Sequence, residues 1–174
     1  MKMEYFLAIP IIVWGLVNFT TYRSVRLLAK PDELLKEAEA IDDEVFLSEK
    51  EEFDRWCQSN DFAHEKNFLF YGILNGPPIK CSSWWSSTDK TWALIYVTHM
   101  GKNIDFVTTY ENGIGVTTAS SKDSLTLPSA PNSYIQAFTK TSNDERYALH
   151  KHAVASIEKN VKLLKALKNK SFSN

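Results

Sequence analysis

Cysteine is nearly missing from this 174-residue chain, with Cys57 and Cys81 as its only two. One disulfide is the most they could form. With no CxxC and no HxxxH spacing in the sequence, a sequence-local zinc cluster is excluded. Cys57, Cys81, His64 and His99 would meet only through tertiary folding. Glycine is scarce too, at six residues, and none builds a phosphate-cradling loop or a dinucleotide turn. Gly113-Ile114-Gly115 falls in a hairpin, the wrong context for phosphate. The nucleophile elbow GxSxG is missing too. Charge of one sign is not in excess: the formal net charge of -1 excludes a general nucleic-acid binder. No internal repeat is visible. No metal and no cofactor is expected from these patterns.

What the chain does have is one long uncharged run, Tyr5–Tyr22, YFLAIPIIVWGLVNFTTY. As a helix it would be roughly 27 Å long at about 1.5 Å per residue. That is close to a hydrocarbon core of about 30 Å. Tyr5 and Tyr22 stand at its ends, and Lys2, Arg23 and Arg26 can reach headgroups. A cleaved signal peptide fits less well, because Asn18–Arg23 offers Phe, Tyr and Arg where small residues are needed. A buried core helix would keep a polar stripe, and this run has none before Asn18. The expectation is a single transmembrane anchor over residues 1–22, with membrane lipid as its partner. Arg23, Arg26 and Lys30 outweigh Lys2 and the α-amino group, which favours a cytoplasmic soluble domain.

Residues 23–47 are expected as a helical neck. Pro31 suits a first turn, and Leu34, Leu35, Ala38 and Ile41 recur at helical spacing. Residues 48–174 are expected as one α+β domain. Ser48-Glu49-Lys50-Glu51 has capping-box spacing ahead of Phe53, Trp56 and Cys57. From Phe68 the pattern turns to strands: 68–74, 79–86, 91–99, 104–110 and 114–119, with a further short strand at 134–138. Glu111-Asn112-Gly113 is a hairpin turn between two of them. The close spacing predicts an antiparallel meander of about five strands packed with helices. A last helix opens at Ser142-Asn143-Asp144 and runs to about Lys168. Tyr147, Val154, Ile157, Val161 and Leu164 form its seam.

Candidate chemistry is thin. His150 and His152 sit about 200° apart on that helix, so they cannot share a metal there. Trp84 and Trp85 point to opposite faces of a strand, which leaves one of them under a cover or open to a partner. Thr108, Thr109, Thr117 and Thr118 flank the Asn-Gly hairpin and suggest cross-strand threonine pairs. Acids crowd residues 32–61 and lysines crowd residues 151–170, so the two ends attract each other, within the fold or between copies. The expected function is non-enzymatic: a membrane-anchored domain that docks a protein partner or a second copy, with Trp84, Trp85, Val161 and Leu164 as contacts. The alternative is a tethered enzyme or small-ligand-binding domain with a site near Trp84, Trp85, His99 and Asp105.

Overall fold

The computed structural model describes residues 4–28, 34–72, 76–99, 101–111, 113–125 and 132–160. The chain divides into two compact units, Met1–Lys36 with Leu69–Ile79, and Glu37–Phe68 with Lys80–Asn174.

The first unit carries helix α1 (Glu4–Leu28), which takes in all of the uncharged run. Pro10 is tolerated inside it. Among the described residues, no helix is long and apolar enough to cross a membrane. The transmembrane part of the expected fold is therefore not shown. In the same unit the Tyr71 N–H donates to the Leu34 carbonyl at 2.8 Å, and Lys36 lies over the Tyr71 ring.

The expected helical neck is corrected: Leu35–Ala38 is strand β1. It lies at one end of a seven-stranded sheet of order β1-β2-β3-β4-β5-β6-β7. Helical spacing of Leu34, Leu35, Ala38 and Ile41 lost to the backbone pairing that a sheet edge offers, a tertiary override of local pattern. The other strands are β2 (Ala63–Phe70), β3 (Ile79–Ser86), β4 (Thr91–Thr98), β5 (Gly101–Thr109), β6 (Gly115–Ala119) and β7 (Ser133–Ala137).

The count of about five strands, all antiparallel, is thus too low and too uniform. From β3 to β6 the pairs are antiparallel, but β7 runs parallel to β6. The link from Ser120 to Asn132 has the dozen or so residues a parallel crossover needs. Within it lies a short 3-10 turn, Lys122–Leu125. The hairpin between β5 and β6 stands as expected, with Gly113 at φ 78 and its N–H donating to the Tyr110 carbonyl at 2.9 Å, while Asn112 lies outside the described residues.

Two helices pack against the sheet. Helix α2 (Glu44–Ser59) begins earlier than its sequence signal. Asp43 is the cap, accepting from the Phe46 N–H at 2.8 Å, so Ser48 lies inside the helix and its capping-box spacing is unused. Helix α3 (Asn143–Asn160) opens on a reciprocal box. The Ser142 hydroxyl accepts from the Glu145 N–H at 3.2 Å, and the Glu145 carboxylate accepts from the Ser142 N–H at 2.8 Å.

Register fixes which side chains share a face. Trp84, Ala93, Phe106 and Thr118 form one row across β3 to β6, and α2 and α3 pack on this side. Phe53 meets Trp84 edge-on at 5.1 Å, and Trp56, Phe62, Phe106 and Tyr147 stack around one another at 5.1–6.3 Å. Aromatic pairs of this geometry add to what their buried area contributes. Trp85, Trp92, Leu94 and Cys81 are buried on the other side of the sheet.

Candidate functional site

Both tryptophans singled out from sequence are buried. Trp84 faces α2, and its indole N–H donates to the Asp54 carboxylate at 2.6 Å. Trp85 points the other way and pairs across the strands with Trp92, ring centroids 4.8 Å apart. His99 follows the far end of β4 and is exposed. Asp105 shares the Trp85 face, two register rows away, opposite Leu94. The four residues of the alternative site are therefore split over two faces and two ends of the sheet. Val161 and Leu164 lie outside the described residues, as does the end expected near Lys168.

The threonine expectation is corrected in a way that leads to the most organised polar cluster. Across β5 and β6, Thr108 opposes Val116, Thr109 opposes Gly115, Thr117 opposes Val107 and Thr118 opposes Phe106. No two of these threonines face each other. Instead Thr108 bonds Thr91 of β4 at 2.8 Å, and Thr108 and Thr118 converge on His150 of α3. All four of these residues are buried, at 2% relative exposure or less.

The hydrogen directions in this cluster follow from its two ends. Thr91 Oγ1 lies 3.0 Å from the Asp89 carbonyl, which can only accept, so Thr91 donates there. Its single hydrogen is then used, and Thr108 must donate to Thr91. Thr108 has none left, so His150 Nε2, at 3.0 Å, carries a hydrogen and donates to Thr108. From the other end, the Gln136 amide nitrogen donates to the Leu149 carbonyl at 3.2 Å and to Thr118 Oγ1 at 2.9 Å. Thr118 keeps its own hydrogen for His150 Nδ1 at 2.9 Å. The two deductions meet at one neutral imidazole with its hydrogen on Nε2. The buried ring resists a second proton, which pulls its pKa down to about 4, with Asp89 opposing that shift.

His150 was legible in part. The seam step of seven from Tyr147 to Val154 divides into three and four at His150, so its place on the packed face was readable. Its polar partners were not, because Thr108 and Thr118 come from two different strands.

Asp105 is the second group of note. Burial raises its carboxyl to about 6, against the Ser120 N–H that donates to it and the charge of Arg146. On the same face Tyr96 and Cys81 are also held in their neutral forms by burial, the Cys81 thiol pushed up to about 12. A neutral thiol is a poor nucleophile. Cys57 and Cys81 are both buried. Cys57 belongs to α2 on the Trp84 side and Cys81 points from β3 to the opposite side, so the sheet separates them. Among the described residues no group of His, Cys, Asp and Glu is placed to hold a metal ion.

No family model, curated protein or solved structure matches the chain.

Proposed function

We propose that the protein is a single-pass membrane protein whose α+β domain docks a protein partner or a second copy of itself. What supports the membrane half is the surface of α1. Ile9, Ile12, Val13, Trp14, Leu16, Val17, Phe19 and Tyr22 are each more than half exposed. At about 100° per residue they occupy every quadrant of the helix. A helix lying flat on a membrane would keep one apolar stripe, whereas one that is apolar all round needs apolar surroundings on every side. Three of its polar side chains bond back to the helix's own carbonyls. Asn18 donates to the Trp14 carbonyl at 2.8 Å, Thr20 to the Leu16 carbonyl at 3.0 Å and Thr21 to the Val17 carbonyl at 2.8 Å. Such back-bonding removes the cost of unpaired donors in lipid.

The basic residues after the run, Arg23, Arg26 and Lys30, favour placing the domain in the cytoplasm. The enzyme alternative has less to draw on, since Trp84, Trp85, His99 and Asp105 share no single face. The docking half rests on the sequence seam through Val161 and Leu164.

Alkaline carbonate extraction of the full chain tests the anchor. The chain should stay with the membrane pellet, and a chain starting near Lys30 should be released. Release of the full chain would end the anchor reading. Leu164→Asp should weaken crosslinking to a partner or second copy while leaving thermal unfolding of the domain within a few degrees. Unchanged crosslinking would remove docking from this helix.

A further inference from the structure

We propose that His150 is a proton-sensitive latch: a second proton at Nδ1 breaks its bond with Thr118 and releases α3 from β5 and β6. The latch is independent of the membrane anchor and rests on the polarity of the chain of hydrogen bonds. Thr118 Oγ1 already accepts from Gln136, and its one hydrogen points at Nδ1. A hydrogen arriving on Nδ1 evicts that one, and the site is fully buried. The other end gives no relief. Nε2 already donates to Thr108, whose hydrogen is committed to Thr91 and onward to the Asp89 carbonyl. The ring therefore has one satisfied state, the neutral one, and the two bonds that satisfy it, to Thr108 and Thr118, tie α3 to β5 and β6.

The charged groups around the ring do little to help it take a proton. Asp89, in the turn between β3 and β4, is the carboxylate whose charge acts on it, and that group already accepts from the Tyr147 hydroxyl. Within a turn of it on α3 stand Arg146, Tyr147, Lys151 and His152, of which Arg146 and Lys151 are cationic. The helix's carboxylates lie further off with partners of their own: Asp144 accepts from Trp56, Glu145 from Ser142 and Glu158 from the Tyr110 hydroxyl. Strands β6 and β7 contribute no carboxylate. Asp105 of β5 points to the other face of the sheet. From the α2 side, Asp54 is bonded to Trp84, and Asp61 acts on Tyr147. A positive imidazole would sit instead beside Phe106, centroids 6.1 Å apart.

Amide hydrogen exchange on the full chain, followed peptide by peptide and corrected for intrinsic rates, tests the latch. Between about pH 7 and about pH 4.5, α3 should lose roughly 50- to 100-fold of its protection while β4 and β5 keep theirs. His150→Asn offers a donor and an acceptor but does not titrate, and it should abolish the step. The proposal is overturned if α3 and the strands lose protection together, if α3 does not change, or if His150→Asn retains the step. Should that variant not fold, the wild-type ring signals in NMR decide. Nε2–H at neutral pH, with protonation coinciding with α3 release, supports the latch. A ring that titrates while α3 stays protected overturns it.

Discussion

His150 Nε2 donates to Thr108 Oγ1 at 3.0 Å, and the direction of that bond is dictated by a backbone carbonyl two threonines away. The dependence is testable by removing the middle member. Thr108→Val keeps the shape but leaves the His150 hydrogen buried without an acceptor. Such an orphan costs about 1–3 kcal/mol. Thr108→Ser keeps the hydroxyl and should cost less than half as much. Urea unfolding of the two variants is the measurement, and equal losses would argue that the methyl, not the hydroxyl, matters.

Capping gives a second contrast. Asp43 accepts from the Phe46 N–H at the start of α2 and pairs with Lys80. Asp43→Ala should lower the melting temperature by a few degrees, as loss of an N-cap acceptor does. Ser48, interior to the helix, should tolerate Ala at little or no cost. Thermal unfolding would expose the reverse order if the sequence signal were the true cap.

That contrast also marks how much of the architecture was readable. The strands β3 to β6 were legible because alternation and turn residues such as Asn112-Gly113 are local. The start of α2 was not, since Asp43 and Ser48 are both acceptable caps and only tertiary packing of Phe46 selects the first. Strand β1 was hidden by the helical spacing of Leu34, Ala38 and Ile41, and its pairing belongs to the sheet edge rather than to its own residues. The parallel entry of β7 depended on a crossover that no local pattern announces. The polar cluster was the least visible. Thr91, Thr108, Thr118, Gln136 and His150 are far apart in sequence, and the β5–β6 register that parts the threonines from one another is a property of the hairpin.

The thiols supply a third prediction. Cys57 and Cys81 lie on opposite sides of the sheet, and burial holds both in the thiol form. A disulfide needs Cα atoms within about 7 Å and converging Cβ vectors, which an intervening sheet forbids. The folded chain should show no intramolecular bridge under mild oxidant on a non-reducing gel. Both thiols should react with a maleimide only after unfolding. A bridge formed in the native state would mean that one of the two cysteines is misplaced. The lack of one carries no information about compartment, because geometry alone accounts for it.

Acid stability should reveal two groups pulling against each other. His150 has a folded pKa near 4, below the value of 6.5 for a free imidazole. Between those values the unfolded chain binds the extra proton, so stability rises with pH there and is fully present above about 6.5. Asp105 has a folded pKa near 6, above the ordinary 3.8. Between those values the folded chain binds the extra proton, so its contribution falls as pH rises and is a full penalty above about 6. A tenfold change in proton affinity is worth about 1.4 kcal/mol, so each effect is on the order of 3 kcal/mol. In the wild type they largely cancel between about pH 4 and 6, and stability should be nearly flat there. Asp105→Asn removes the falling limb and keeps an acceptor for the Ser120 N–H. The variant should be more stable than wild type at about pH 7 by up to about 3 kcal/mol, with the gain vanishing near pH 4. Urea midpoints across this range check it. A gain that persists at about pH 4 would point to packing rather than charge. A loss at neutral pH would mean that the ionised carboxylate has a partner worth more than its burial costs.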